Sequence, residues 1–105
     1  MSDFKRLSAL EAKSLIDELG ATLADIRDEE SFRQSRIENA VHLDNTSLQD
    51  FIANADPDKP LVIYCYHGNS SLNAAQFLFE KGFEEVYSMD GGFESWRQQF
   101  PTVSE

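Results

Sequence analysis

The apolar positions of this chain alternate between two spacings, one that suits a helix and one that suits a strand. Residues 8–20, "SALEAKSLIDELG", set Leu10, Leu15, Ile16 and Leu19 at helical spacing. Ser8 and Glu11 form a capping-box pattern ahead of them, and Gly20 supplies a stop. "TLADI" (22–26) reads as a strand, "EESFRQS" as a short helical turn and "AVHL" (40–43) as another strand. "TSLQDFIANA" (46–55) repeats the capping logic with Thr46 and Gln49, and Asp56-Pro57-Asp58 with Pro60 ends it. "LVIYC" (61–65) is a continuous apolar run, as expected of a strand covered on both faces.

The second half keeps the alternation. "SSLNAAQFLFEKG" (70–82) predicts a helix that turns Leu72, Ala75, Leu78 and Phe79 inward and closes at Gly82. "VYSM" (86–89) predicts a strand, Asp90-Gly91-Gly92 a turn, and "FESWRQQF" (93–100) a last helix before Pro101. "FKRL" (4–7) adds an edge strand. Short strands and helices in alternation predict an α/β fold: a mostly parallel five-stranded sheet with helices on both faces. Ligands of such sheets bind beyond the carboxyl ends of the strands. That draws attention to Asp25–Arg27 and to Cys65, which meet if their strands are close in the sheet.

Composition narrows the reading. The 105 residues are the size of one domain, taken as 1–105, and 41% hydrophobic with 27% charged residues is ordinary for a soluble globular protein. The segment "MSDFKRLSALEA" lacks the apolar core of a signal peptide, and no apolar run has the roughly 20 residues that span a bilayer. A cytoplasmic location is the expectation. One cysteine forms no internal disulfide, and with only His42 and His67 beside it a structural metal is not expected. A net charge of −10 disfavours nucleic acid and anionic membrane as partners. It also means that an anionic substrate must be attracted locally. Nothing demands more than a monomer, and no cofactor is implied.

The chemistry converges on "YCYHGNSS" (64–71). Cys65 ends a strand, and Tyr66, His67, Gly68, Asn69, Ser70 and Ser71 lead into a helix. A helix N-terminus has free N–H groups and a positive dipole end, which lower the pKa of a thiol below that of a free cysteine. Gly68 allows backbone that a β-carbon forbids, and Asn69 tolerates the left-handed region, so the loop can curl its amides around an anion. A cysteine at a strand end is more often an inert small hydrophobe than a nucleophile. The loop and helix that follow favour the nucleophile here.

Three segments in order, "DIRD" (25–28), "CYHGNSS" (65–71) and "DGGFESW" (90–96), resemble the rhodanese family of sulfurtransferases in its short, single-domain form. The resemblance runs over roughly residues 4–101, and the cysteine stretch is its most specific part. It implies a three-layer rhodanese-like fold and thiosulfate sulfurtransferase activity. Cys65 would take the sulfane sulfur of thiosulfate as a persulfide and release sulfite. A thiophilic acceptor, cyanide or a dithiol such as thioredoxin, would then remove that sulfur. The loop amides from Tyr66 to Ser71 would hold the persulfide charge.

The remaining motif residues each keep two readings. Asp25 and Arg27 match a pair common in the family, either an ion pair bracing the loop or, for Arg27, a direct substrate contact. His67 is either a local positive group or a solvent-facing loop residue. Ser70 and Ser71 either cap the following helix or bond the persulfide. The wider family often has cationic residues in this loop, which Tyr66, Gly68, Asn69 and Ser70 are not. The family's Gly-His-x-x-Gly-Ala is here "SRIENA" (35–40), a change in a structural turn. Trp96, Phe93 and Phe100 read as core anchors.

Two other functions compete. A non-catalytic rhodanese-like interaction module would use the loop only as a surface, and its thiol would be unreactive. Cysteine-dependent phosphatases, including those sharing the rhodanese fold, and arsenate chemistry with them need Cys, five residues, then Arg to clamp the oxyanion. Ser71 stands at that place and the loop has no arginine.

Overall fold

The computed structural model describes residues 4–104. The elements follow the predicted order: β1 (Lys5–Leu7), α1 (Ala9–Leu19), β2 (Thr22–Asp25), α2 (Glu29–Gln34), β3 (Val41–His42), α3 (Leu48–Asn54), β4 (Leu61–Tyr64), α4 (Ser70–Glu80), β5 (Val86–Met89) and α5 (Gly92–Gln99). The five strands form one sheet in the order β1-β5-β4-β2-β3, and every pairing in it is parallel. β2 and β4 are neighbours, with Asp25 opposite Tyr64. The ends of these two strands, which carry Asp25–Arg27 and Cys65, therefore lie side by side.

β4 is the middle of the sheet, and its continuous apolar run is explained by what covers it. All four residues are buried. Val62 and Tyr64 belong to a core shared with Ala9 and Ala12 of α1 and with Phe93 and Trp96 of α5. Leu61 and Ile63 point the other way, into a core with Phe51 of α3 and with Ala75 and Leu78 of α4. Side chains of a strand alternate between faces, so a strand with helices on both sides must be apolar throughout. Each such residue contributes about 1.5–3 kcal/mol by leaving water.

The inward face of one helix differs in detail from the pattern, and that of another follows it. In α1 the capping box between Ser8 and Glu11 forms, and Gly20 adopts the left-handed conformation at the stop. Its inward face, however, consists of Ala9 and Ala12, with Leu15 and Ile16 packed against the core, while Leu10 and Leu19 are 62% and 59% exposed. Small residues bring the helix close to the sheet, which a reading weighted towards leucine overlooks. In α4, Ala75 and Leu78 are buried and Leu72 and Phe79 half-buried, as expected. Phe93 and Trp96 are buried core residues, with Phe100 packed against them.

One turn departs from the expectation and another carries an unusual backbone. Thr46 does not cap α3: the N-cap is Ser47, and it makes no side-chain cap bond. The Asp44 carboxylate organises this turn instead, accepting from the Thr46 amide at 2.9 Å, the Thr46 hydroxyl at 2.7 Å and the Ser47 amide at 3.0 Å. A carboxylate accepts several bonds where a hydroxyl accepts fewer, so it outcompetes the threonine. In "SRIENA", Asn39 has φ +70°, the left-handed backbone for which a glycine is the usual choice and asparagine the next. No helix among the described residues is long and apolar enough to cross a membrane.

The Asp44 turn yields a pH signature. The Thr46 hydroxyl, then the Ser47 and Thr46 amides, hold its carboxyl down to about 2, below its ordinary 3.8. A carboxyl with a depressed folded value stabilises the fold above its unfolded pKa and loses that contribution as pH falls through the folded one. The stability difference between wild type and Asp44→Ala, measured by urea denaturation, is therefore expected to be full above pH 3.8 and to shrink towards pH 2.

Candidate functional site

Cys65 follows β4 directly and is 6% exposed. The chain then turns back on itself. Gly68 has φ +93°, and a β-carbon there would lie 2.8 Å from the Gly91 nitrogen, so this position requires glycine for both conformation and space. Asn69 stays in the right-handed region at φ −92°, so the left-handed tolerance expected of it is not used. The amides of Gly68 and Ser71 point back at the Cys65 Sγ, at 3.1 and 3.3 Å. Ser71 lies in the first turn of α4, so one of these donors is a helix N-terminal N–H with no partner inside its own helix.

Ser70 and Ser71 do not cap α4. The N-cap is Asn69, without a side-chain cap bond. Ser71 is fully buried, and its Oγ lies 3.5 Å from Sγ and 2.7 Å from the Oγ of Ser88 on β5. Burial pushes the Cys65 thiol up. The Ser71 hydroxyl and the Ser71, Gly68 and His67 amides together outweigh that and bring it below its ordinary 9.0. Tyr66, His67, Asn69 and Ser70 form the exposed rim.

The rim and the thiol are held from behind by the N-terminus of α5. The Phe93 amide donates to the Cys65 carbonyl at 2.8 Å, and the Glu94 amide to the Tyr66 carbonyl at 3.0 Å. Gly92 makes this approach possible: a β-carbon on it would meet the Cys65 oxygen at 2.5 Å and the Tyr66 oxygen at 2.7 Å. The turn at 90–92 was legible in the sequence, but its docking against the cysteine loop was not. Two adjacent glycines ahead of a helix were the available signal, because a simple turn needs only one.

Asp25 and Arg27 form a buried ion pair. The Arg27 Nη2 lies 2.8 Å from the Asp25 Oδ2, its Nε 3.1 Å from both carboxylate oxygens, and its backbone amide 2.8 Å from Oδ1. Nη2 also donates to the Ser35 carbonyl at 2.6 Å. The guanidinium sits 4.0 Å from the centre of the Phe93 ring and 5.6 Å from that of Tyr66. Burial lowers the arginine pKa, but the hydrogen bond and charge of Asp25 outweigh it, so Arg27 stays ionised. With its side chain 3% exposed, the guanidinium is occupied in joining the 35–40 turn, the loop residue Tyr66 and α5, rather than facing solvent. On the far side, the His42 Nε2 donates to the Arg27 carbonyl at 2.6 Å.

A matched pair of glycine substitutions tests the role of the docking. Gly20→Ala meets nothing within 4 Å, so only its φ of +65° is penalised, and the expected loss is about 1 kcal/mol with unchanged thiol reactivity. Gly92→Ala adds a backbone clash to a φ of +57° and is expected to cost more stability and to slow Cys65 alkylation at neutral pH. Urea denaturation and iodoacetamide kinetics read both effects. Arg27→Lys, which loses the bidentate fork and the ring stacking, is expected to destabilise by about 3 kcal/mol in the same denaturation assay.

Known proteins carry the same framework. The model of the Rhodanese-like domain matches residues 8–99. A protein of Ectopseudomonas mendocina named thiosulfate sulfurtransferase GlpE is 55% identical over 102 residues, covering 97% of this chain and 93% of its own. One of the same name from Pseudomonas savastanoi pv. phaseolicola is 54% identical over 101 residues, covering 96% and 94%. In three dimensions, the solution structure of a rhodanese-like domain from an Anabaena protein superposes with a TM-score of 0.85 at 22% identity, over 100% of this chain and 81% of that one, a likeness of fold. With the family model spanning most of the chain and relatives above half identity over nearly all of it, this protein belongs to the rhodanese-like family.

Proposed function

We propose that this protein is a thiosulfate sulfurtransferase that carries sulfur as a Cys65 persulfide. The observation that carries the reading is the sulfur itself, held at a helix N-terminus by the Gly68 and Ser71 amides with its pKa lowered. The thiolate attacks the sulfane sulfur of thiosulfate. The bond between the two thiosulfate sulfurs breaks, and its electron pair leaves with sulfite. The enzyme then holds Cys65–S–S⁻, and charge is conserved across the step.

The second half-reaction restores the thiolate. An acceptor attacks the outer sulfur, and the Cys65 thiolate departs as leaving group. With cyanide the product is thiocyanate. With a dithiol such as thioredoxin the sulfur passes to one thiol, and the second displaces it as hydrogen sulfide while a disulfide forms. Two half-reactions through one covalent intermediate predict ping-pong kinetics. The loop amides act as donors fixed before the charge arrives, as in an oxyanion hole. Tyr66, His67, Asn69 and Ser70 line the rim where thiosulfate enters, and Asp25 and Arg27 support it from beneath.

Phosphate chemistry fits this geometry poorly. The sixth residue after the cysteine is Ser71, whose buried hydroxyl is already engaged with Cys65 and Ser88, and no arginine of the loop offers a bidentate clamp. Incubation with thiosulfate under anaerobic conditions is expected to add the mass of one sulfur atom to the wild type and nothing to Cys65→Ser. Cyanide or a reduced dithiol should then remove it. An unmodified wild-type mass would sink the proposal.

A further inference from the structure

The buried Ser88 hydroxyl has no evident role in packing a sheet. Ser88 sits in the middle of β5, fully buried, beside apolar Met89 and Val86. A buried hydroxyl stabilises only when its proton and lone pairs are matched, and a serine in a strand interior otherwise offers less than an alanine or valine. Its one side-chain partner among the described residues is the Ser71 Oγ at 2.7 Å. No buried side-chain polar atom among the described residues is left without a bond. Among the described residues, the Ser71 hydroxyl in turn reaches two groups, Ser88 and the Cys65 Sγ.

Counting protons fixes the direction of this chain. Once Cys65 is a thiolate its sulfur can only accept, so the Ser71 hydroxyl donates to it and the Ser71 oxygen is left to accept from Ser88. If Ser71 donated to Ser88, the thiolate would lose that donor and the Ser88 proton would have no side-chain acceptor among the described residues. The satisfied arrangement is Ser88 to Ser71 to sulfur. As a thiol, the sulfur is a weak acceptor, and its own proton competes for the Ser71 oxygen across the same 3.5 Å gap. As a thiolate, it is a strong acceptor with no competing proton, and two hydrogen bonds in series polarise one another.

We propose that Ser88 is a positioning residue for Cys65: by donating to the Ser71 oxygen it aims the Ser71 proton at the sulfur. The device favours the thiolate both before attack on a sulfur donor and when the thiolate leaves the persulfide. That kinetic consequence rests on the sulfur-transfer reading above; the titration of the thiol does not. The relay places a strand residue, 23 positions beyond the cysteine and outside the loop, in control of the nucleophile.

The test is a double-mutant cycle read by the pH dependence of Cys65 alkylation in the folded protein, without thiosulfate. Ser88→Ala removes one oxygen and leaves an ordinary strand residue, and the folded state is checked by urea denaturation. Its thiol is expected to titrate about half a unit higher, which is roughly a threefold smaller thiolate fraction below the pKa. In the Ser71→Ala background, the same Ser88→Ala change is expected to shift nothing, because the connecting hydroxyl is gone. Ser88→Thr, which keeps the hydroxyl, should titrate with the wild type. A Ser88→Ala thiol that titrates like wild type, or that shifts equally with and without Ser71, would overturn the relay. A wild type that gains no sulfur from thiosulfate would instead overturn the sulfur-transfer reading and leave this cycle intact.

Discussion

The site depends on one backbone contact, the seating of the N-terminus of α5 on the carbonyls of Cys65 and Tyr66. The two hydrogen bonds are each worth about 0.5–1.5 kcal/mol, modest on their own. Their effect is directional. With the carbonyls of the first loop residues turned outward to α5, the peptide planes are committed, and the following amides of Gly68 and Ser71 face the sulfur. The same seating forbids a side chain at Gly92 and leaves no room for one at Gly68. Two glycines, Gly68 in the loop and Gly92 in the turn, are thereby tied to a single requirement of close backbone approach.

A second layer holds this arrangement in place. The Asp25–Arg27 pair is far from water, where a single unpaired charge would be costly. It is tolerated because the carboxylate accepts from the Arg27 backbone and guanidinium, and because the guanidinium also donates to the Ser35 carbonyl. The guanidinium then spends its remaining face on Phe93, the residue whose amide holds Cys65. The ion pair and the α5 contact thus meet at one residue, which explains why the strand-end pair and the glycine turn occur together with the cysteine.

Much of this was legible in the sequence because the signals were local. The apolar run of β4 and the capping box of α1 each act over a few residues and form as read, and Gly68 takes the backbone that a β-carbon forbids. The less legible parts depend on distant contacts. Ser88 reads as a neutral strand residue until Ser71 is seen 2.7 Å away. Ser70-Ser71 reads as a helix cap because that is what serines do locally, whereas burial under β5 turns Ser71 to the thiol. Ala9 and Ala12 look inert beside the leucines of α1, yet close helix–sheet approach selects them. Thr46 loses its turn to Asp44 because a carboxylate accepts more bonds than a hydroxyl.

At Cys65, fixed donors overcome burial. Desolvation and hydrogen bonding oppose one another there, and hydrogen bonding wins. The most direct measurement is the rate of Cys65 alkylation as a function of pH, in the folded protein and in the same chain unfolded in urea. The folded pKa is expected to lie below that of the unfolded chain and below the ordinary value of 9.0. A folded thiol that titrates at or above the unfolded one would show that burial prevails, and would contradict the account.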